Sequence, residues 1–167
     1  MTKTIYLLVG GEATRLKPLS EGTPKALLTI KGVTIVDLII ENLERAGFAE
    51  FKLICSIKHK EQWEDYRIKT HRDIHLLFEA EKLDTAGYIV KNIEDFEDEF
   101  FCMNGDLLLE MNFEIFMDKV EVASKLLLDQ EGWSPPCSQG DLQPSLFRVF
   151  VHLGLMWVAR AAGAREF

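Results

Sequence analysis

A chain of 167 residues in which 47% are apolar has the material for a buried core, which excludes disorder along its whole length, and its size allows one ordinary domain or a part of a larger one. The formal charge of −8 gives a field that repels nucleic-acid phosphate, and no basic patch offsets it, so nucleic acid is not an expected partner. Cys55, Cys102 and Cys137 are odd in number, widely spaced and without a C-x-x-C pair, which argues against a zinc site and fits a reducing, cytoplasmic setting. The apolar opening is too short for a signal peptide or a bilayer span, so no membrane role is expected.

The run Ile5-Tyr6-Leu7-Leu8-Val9 lacks two-residue alternation and stops at Gly10-Gly11, as a strand buried on both faces of a parallel sheet does. Thr34 to Ala46 predicts a helix. Thr34 and Asp37 form a capping-box-like pair, Ile35, Ile39 and Leu43 share a face, and Gly47 supplies the stop. A strand over 51–57, a helix over 59–69, a strand over 74–78, a helix over 85–96 and a strand over 99–103 follow. Strands alternating with helices predict an α/β layered sheet with right-handed crossovers. The acidic run Glu94 to Glu99 reads as a solvated turn with Phe96 anchored inward. Cys55 and Cys102 read as small core residues, and the scattered His59, His71 and His75 stand at no defensible catalytic spacing.

Composition changes near residue 130. All 12 Ile and all 12 Lys precede it, whereas three of five Pro and two of three Trp follow it. Ile and Lys codons are AT-rich, and those of the tail's Ala, Arg, Gly and Pro are GC-rich. The expected division is therefore 1–129 as the ordered part and 130–167 as an atypical tail of frameshifted or foreign coding. The alternative is a native loop-plus-helix element of unusual composition.

The chemistry concentrates after the first strand. Gly10 and Gly11 let the backbone turn and approach a ligand, and successive N–H groups in such a turn hold phosphate oxygens. Arg15 brings a planar fork suited to phosphate and Lys25 a mobile point charge. No G-K-[ST] closes a Walker A loop, and no G-x-G-x-x-G is present. Taken alone, a glycine pair with a nearby Arg is equally a tight turn at a surface.

The full spacing, Gly10-Gly11-Glu12-Ala13-Thr14-Arg15-Leu16-Lys17-Pro18-Leu19 followed by Pro24-Lys25, resembles the signature of the sugar-1-phosphate nucleotidyltransferases. Ala13 stands where that family usually has glycine, a variant closest to mannose-1-phosphate guanylyltransferase-like members. Glu79-Ala80-Glu81-Lys82-Leu83-Asp84-Thr85-Ala86-Gly87 is similar to the family's base-contacting segment, with Asp84 in place of a glycine and Lys82 in place of a proline. Asp84 equally fits a helix N-cap. Met103-Asn104-Gly105-Asp106 resembles the family's N-G-D, whose aspartate holds magnesium, although Asn-Gly-Asp alone reads as a turn.

The resemblance covers about residues 3–129. It implies a Rossmann-like, mostly parallel sheet with helices on both faces, nucleotide-diphospho-sugar transferase-like and incomplete. It implies that a nucleotidyl group passes from a nucleoside triphosphate to a sugar 1-phosphate with release of pyrophosphate. The nucleotide would meet Leu8, Gly10, Gly11, Ala13, Thr14, Glu79, Asp84 and Thr85. Arg15 and Lys25 would be catalytic, and Asp106 would bind the cofactor Mg2+. The partners are then the two small substrates and, in a homo-oligomer, further copies of the chain. The family's later half, with its sugar pocket and second metal-binding aspartate, has no match after Asp129. A non-catalytic nucleotide-binding remnant or a regulatory subunit is accordingly the rival expectation.

Overall fold

The computed structural model describes residues 3–13, 22–81, 83–92, 95–96 and 99–106, and the backbone of two further strands over 147–150 and 156–161. In chain order these form β1 (Lys3–Leu8), β2 (Thr29–Ile30), β3 (Val33–Thr34), α1 (Ile35–Arg45), β4 (Phe48–Ser56), α2 (Lys60–Lys69), β5 (Asp73–Glu79), α3 (Asp84–Lys91), β6 (Glu99–Asn104), β7 (Phe147–Phe150) and β8 (Met156–Ala161).

The main sheet has the order β5-β4-β1-β6-β8-β7. The β5–β4, β4–β1 and β1–β6 pairs are parallel, and β8 joins β6 and β7 antiparallel. Order therefore reverses at β1, whose two neighbours in the sheet are β4 and β6. That reversal makes the carboxyl ends of β1 and β6 the crevice of a doubly wound sheet.

Register divides the strand residues between two layers. Ile5 lies opposite Phe51 and Phe101, and Leu7 opposite Leu53 and Met103. These residues join Val36, Ile39, Ile40 and Leu43 of α1 and Trp63 and Tyr66 of α2 in one core cluster. Tyr6, Ile54, Phe100 and Cys102 have the opposite parity. They are buried, with Ile89 of α3, but stand outside that cluster. Phe96 stacks on Tyr6 with ring centroids 4.4 Å apart, so the acidic turn is anchored as its sequence implies.

The start of α1 follows its cap. Asp37 N donates to Thr34 Oγ1 at 3.1 Å, and Gly47 adopts φ 86° just past the end. Asp37 does more than cap. Its Oδ1 accepts from the Tyr66 hydroxyl at 2.9 Å and from Arg72 Nη1 at 2.7 Å, tying α1 to α2 and to the entry of β5.

Two expectations are corrected, and two further elements are added. The helix expected over 85–96 ends at Lys91, because Asn92 caps it through two bonds to the Tyr88 carbonyl, from its backbone N at 3.1 Å and its Nδ2 at 2.7 Å. Asp84 is the first helical residue of α3 rather than its N-cap, which is Leu83. Residues 29–34 form an antiparallel hairpin, where Lys31 (φ 53°) and Gly32 (φ 85°) both take positive φ, as a two-residue hairpin turn requires. Within the tail, the described residues form two strands, β7 and β8.

Candidate functional site

The end of β1 is held on both sides. Val9 N donates to the Ile54 carbonyl at 3.0 Å, and Gly105 N donates to the Leu8 carbonyl at 2.9 Å. The chain then leaves the sheet and returns to its own start. Glu12 bridges to Pro24, and Lys25 N donates to the Gly11 carbonyl at 3.2 Å. Two contacts from the start of α2 and the turn before it brace this loop. Lys58 Nζ reaches Glu12 Oε1 at 3.3 Å, and Gln62 Nε2 donates to the Gly22 carbonyl at 2.6 Å.

A crevice of about 370 Å³ opens over these strand ends. Leu8, Val9, Gly10 and Gly11 come from β1 and its exit. Lys25 and Ala26 come from the returning loop, Ile54 from β4, Glu79 from β5, Tyr88 from α3, and Asn104, Gly105 and Asp106 from the end of β6. Lys25 Nζ donates to Asp106 Oδ2 at 2.7 Å, with side chains 37% and 41% exposed. A cation and a carboxylate thus face each other at the crevice mouth, open to ligand.

Neither Gly10 nor Gly11 uses the left-handed region. The sharp turn expected of the pair is not made by positive φ, and their smallness has other uses. A Cβ on Gly10 would stand 2.5 Å from Glu79 Oε1, whereas one on Gly11 would meet nothing within 4 Å among the described residues. Gly10 makes room for the Glu79 carboxylate, and Gly11 presents bare backbone to the crevice. Gly105 is more constrained, since a Cβ there would run into the Val9 side chain and come within 3.2 Å of the Leu8 carbonyl.

Leu8, Gly10, Gly11, Lys25, Glu79 and Asp106, separated by up to 98 positions, are thereby brought together. Ala13 is buried beside them in sequence, at 7% exposure. Asp84 and Thr85 open α3, the helix that delivers Tyr88. Thr14 and Arg15 lie outside the described residues. Tyr88 and Ile54 are crevice residues that sequence reading passed over. Ile54 looked like one more apolar strand residue, and Tyr88 had no signal beyond its place one residue after Gly87.

Burial first, and then the Asp95 and Glu79 carboxylates, raise the Tyr88 phenol above its ordinary pKa. Burial, followed by Glu79 and Glu64, raises the Cys55 thiol strongly, and burial does the same to Cys102. Neither cysteine is a nucleophile at neutral pH, in keeping with their reading as core residues. Among the described residues, no three His, Cys, Asp or Glu gather into a metal-binding group, and no helix is long and apolar enough to cross a membrane.

A family model described as nucleotidyl transferase matches residues 5–130. The bifunctional protein GlmU of Methanocaldococcus jannaschii is 36% identical over 129 residues, covering 76% of this chain and 31% of that protein. The mannose-1-phosphate guanylyltransferase catalytic subunit beta of Drosophila pseudoobscura is 30% identical over 149 residues, covering 75% of this chain and 40% of its own length. The chain thus spans well under half of these curated relatives. Among solved structures, HddC from Yersinia pseudotuberculosis complexed with GMP-PN superposes with a TM-score of 0.60 at 26% identity, over 71% of this chain and 54% of that one. A UDP-glucose pyrophosphorylase complexed with UDP-glucose gives 0.60 at 14% identity, over 74% of this chain and 54% of that one, a likeness of fold.

Proposed function

This chain belongs to the nucleotidyl transferase family, and on that premise we propose that its crevice binds a nucleoside triphosphate for transfer of the nucleotidyl group to a sugar 1-phosphate. The observation that carries the proposal is the meeting of Lys25 and Asp106 at the mouth of the switch-point crevice. An oxygen of the sugar phosphate attacks the α-phosphorus, the α–β bridging P–O bond breaks, and pyrophosphate leaves with the electron pair. Such a transfer needs positioning and charge neutralisation more than covalent help. The Gly11 backbone faces the phosphates, Lys25 stabilises the charge that develops on them, and Arg15 is assigned the same task. A guanine nucleotide with mannose 1-phosphate fits the Ala13 variant, and a reducing cytoplasm fits the unpaired Cys55 and Cys102 thiols.

The donor set suits Mg2+. That ion takes one or two carboxylates and fills its remaining positions with water and phosphate oxygens, and the accessible Asp106 carboxylate stands beside the proposed phosphates. Asp106 would hold the ion, which would supply charge neutralisation on the phosphates.

A second reading has its own support. The match spans well under half of the curated relatives, and the family model stops at residue 130, where the composition changes. On that reading residues 1–129 bind nucleotide without turnover, and 130–167 are foreign coding that nonetheless adds β8 to the sheet. Pyrophosphate release with Mg2+, mixed nucleoside triphosphates and mixed sugar 1-phosphates separates the two. Turnover by the purified chain establishes transfer. Nucleotide binding without pyrophosphate release establishes the binding fragment, and absence of both removes the crevice as a nucleotide site.

A further inference from the structure

Asp106, at the end of β6, and its partner Lys25 put an ion pair at the crevice mouth. The lining also holds Leu8 of β1, Ile54 of β4, Glu79 of β5, whose carboxylate reaches toward Gly10, and Tyr88 of α3. Such a lining suits a ligand that carries both phosphate and a flat, hydrogen-bonding ring. Two aliphatic side chains, one carboxylate and one half-buried aromatic ring are the lining that such a ring calls for.

Among the described residues, Tyr88 makes no side-chain hydrogen bond or ring contact that explains its place. It sits on α3 one turn before the cap, and the helix is closed through its carbonyl by Asn92, not through its ring. Among the described side chains of α3, the buried one is Ile89, the neighbour of Tyr88 in sequence. The phenol instead stands in the field of Glu79 and Asp95, on the crevice side.

Resting on the nucleotide reading of the crevice, we propose that Tyr88 is a specificity-determining residue whose ring is the stacking wall for the nucleobase, favouring purines. Stacking scales with ring overlap, and a purine presents the larger face. The hydroxyl then lies at the edge of the base, beside the Glu79 carboxylate, while the phosphates remain with Lys25.

The test titrates the purified chain, in Mg2+, with GTP, ATP, UTP and inorganic tripolyphosphate, which has phosphates and no base. Tyr88→Ala should weaken GTP and ATP about tenfold, as expected for loss of one base–aromatic stack. UTP should weaken less and tripolyphosphate should be unaffected. Tyr88→Phe should bind purines like the wild type. Tyr88→Leu, which keeps the bulk and guards against a folding defect, should lose purine affinity while retaining the circular dichroism spectrum. Equal weakening of tripolyphosphate and GTP by Tyr88→Ala, equal weakening of UTP and GTP, or unchanged purine affinity in both the Ala and Leu variants would each overturn the assignment. A wild-type chain that binds tripolyphosphate and nucleotides alike leaves the phosphate site standing and overturns the base wall. One that binds neither overturns the nucleotide reading itself.

Discussion

Lys25 and Asp106 stand 81 positions apart in the chain and 2.7 Å apart in space. The loop that leaves β1 returns to it at Gly11 and sets the lysine down opposite the end of β6. Each group is the other's partner until a ligand arrives, so a phosphate must take Lys25 from Asp106, and a cation must take Asp106 from Lys25.

This exchange gives Asp106→Asn effects of opposite sign in two conditions. Without divalent metal the variant should bind tripolyphosphate more tightly than the wild type, because a competitor and a negative charge are gone. The gain should be modest, about 0.2–1 kcal/mol, since both side chains are more than a third exposed. With Mg2+ the variant should bind more weakly, because the carboxylate that holds the ion is lost. Calorimetry in EDTA and in Mg2+ reads both arms. A change of the same sign in both would show that Asp106 does not exchange partners.

Lys25→Ala and Arg15→Ala should each weaken triphosphate binding by ~1.5–3 kcal/mol, the range for hydrogen bonds to charged groups. The measurement is the same titration, and wild-type affinity in either variant removes that residue from the site.

Two glycines should separate stability from binding. Gly105→Ala drives a methyl into Val9 and toward the Leu8 carbonyl, where backbone cannot yield, and overpacking of this kind costs about 1–3 kcal/mol. Gly10→Ala crowds the end of the flexible Glu79 side chain and stands in ordinary contact with Ser56 N at 3.6 Å. It should cost less stability and should instead shift Glu79 and change nucleotide affinity. Urea denaturation and nucleotide titration of the two variants check this, and a Gly10→Ala chain less stable than Gly105→Ala would contradict the packing.

Tyr66 carries a pH signature. Burial first, and then Asp37, raise its phenol above the ordinary value near 10. The folded chain therefore keeps a proton that the unfolded chain releases, so this contribution is intact below pH ~10 and is lost as pH rises toward the folded pKa. Cys55 and Cys102 are shifted in the same direction and begin to act from about pH 8.5. Tyr66→Phe should cost about 1 kcal/mol at neutral pH, the worth of the hydroxyl's bond to Asp37. Its stability should approach that of the wild type above pH ~10. Thermal unfolding of both proteins across that range decides, and a constant difference would show that the phenol ionises alike in both states.

The sequence by itself determined what depends on neighbours in the chain. Apolar runs, unbroken in β1 and interrupted by Lys52 in β4 and His75 in β5, marked these strands and β6, and β1, inside the sheet, shows no alternation because a strand buried on both faces needs none. Thr34, Asp37 and Gly47 marked the ends of α1 because capping is a matter of three or four adjacent residues. The glycine loop with Lys25, the segment from Glu79 and Asn104-Gly105-Asp106 were legible as motifs, and they carried the family with them. The hairpin at Lys31-Gly32 was also local, yet only two residues pair on each side, too few to show an alternating pattern.

Tertiary structure decided what depends on order across the sheet. Placing β1 between β4 and β6 brings Lys25 to Asp106 and sets Glu79 against Gly10. Asp37 looked like one half of a helix cap, and its bonds to Tyr66 and Arg72 exist only because α1 and α2 pack on the same face. Tyr88 carries no mark in a linear reading. Its role follows from which side of α3 meets the strand ends, and from the Asn92 cap that ends the helix just beyond it. The antiparallel seat of β8 on β6 is of the same kind. Pairing of that sort comes from backbone hydrogen bonds, which any side chains of suitable shape permit, so composition alone gives no sign of it.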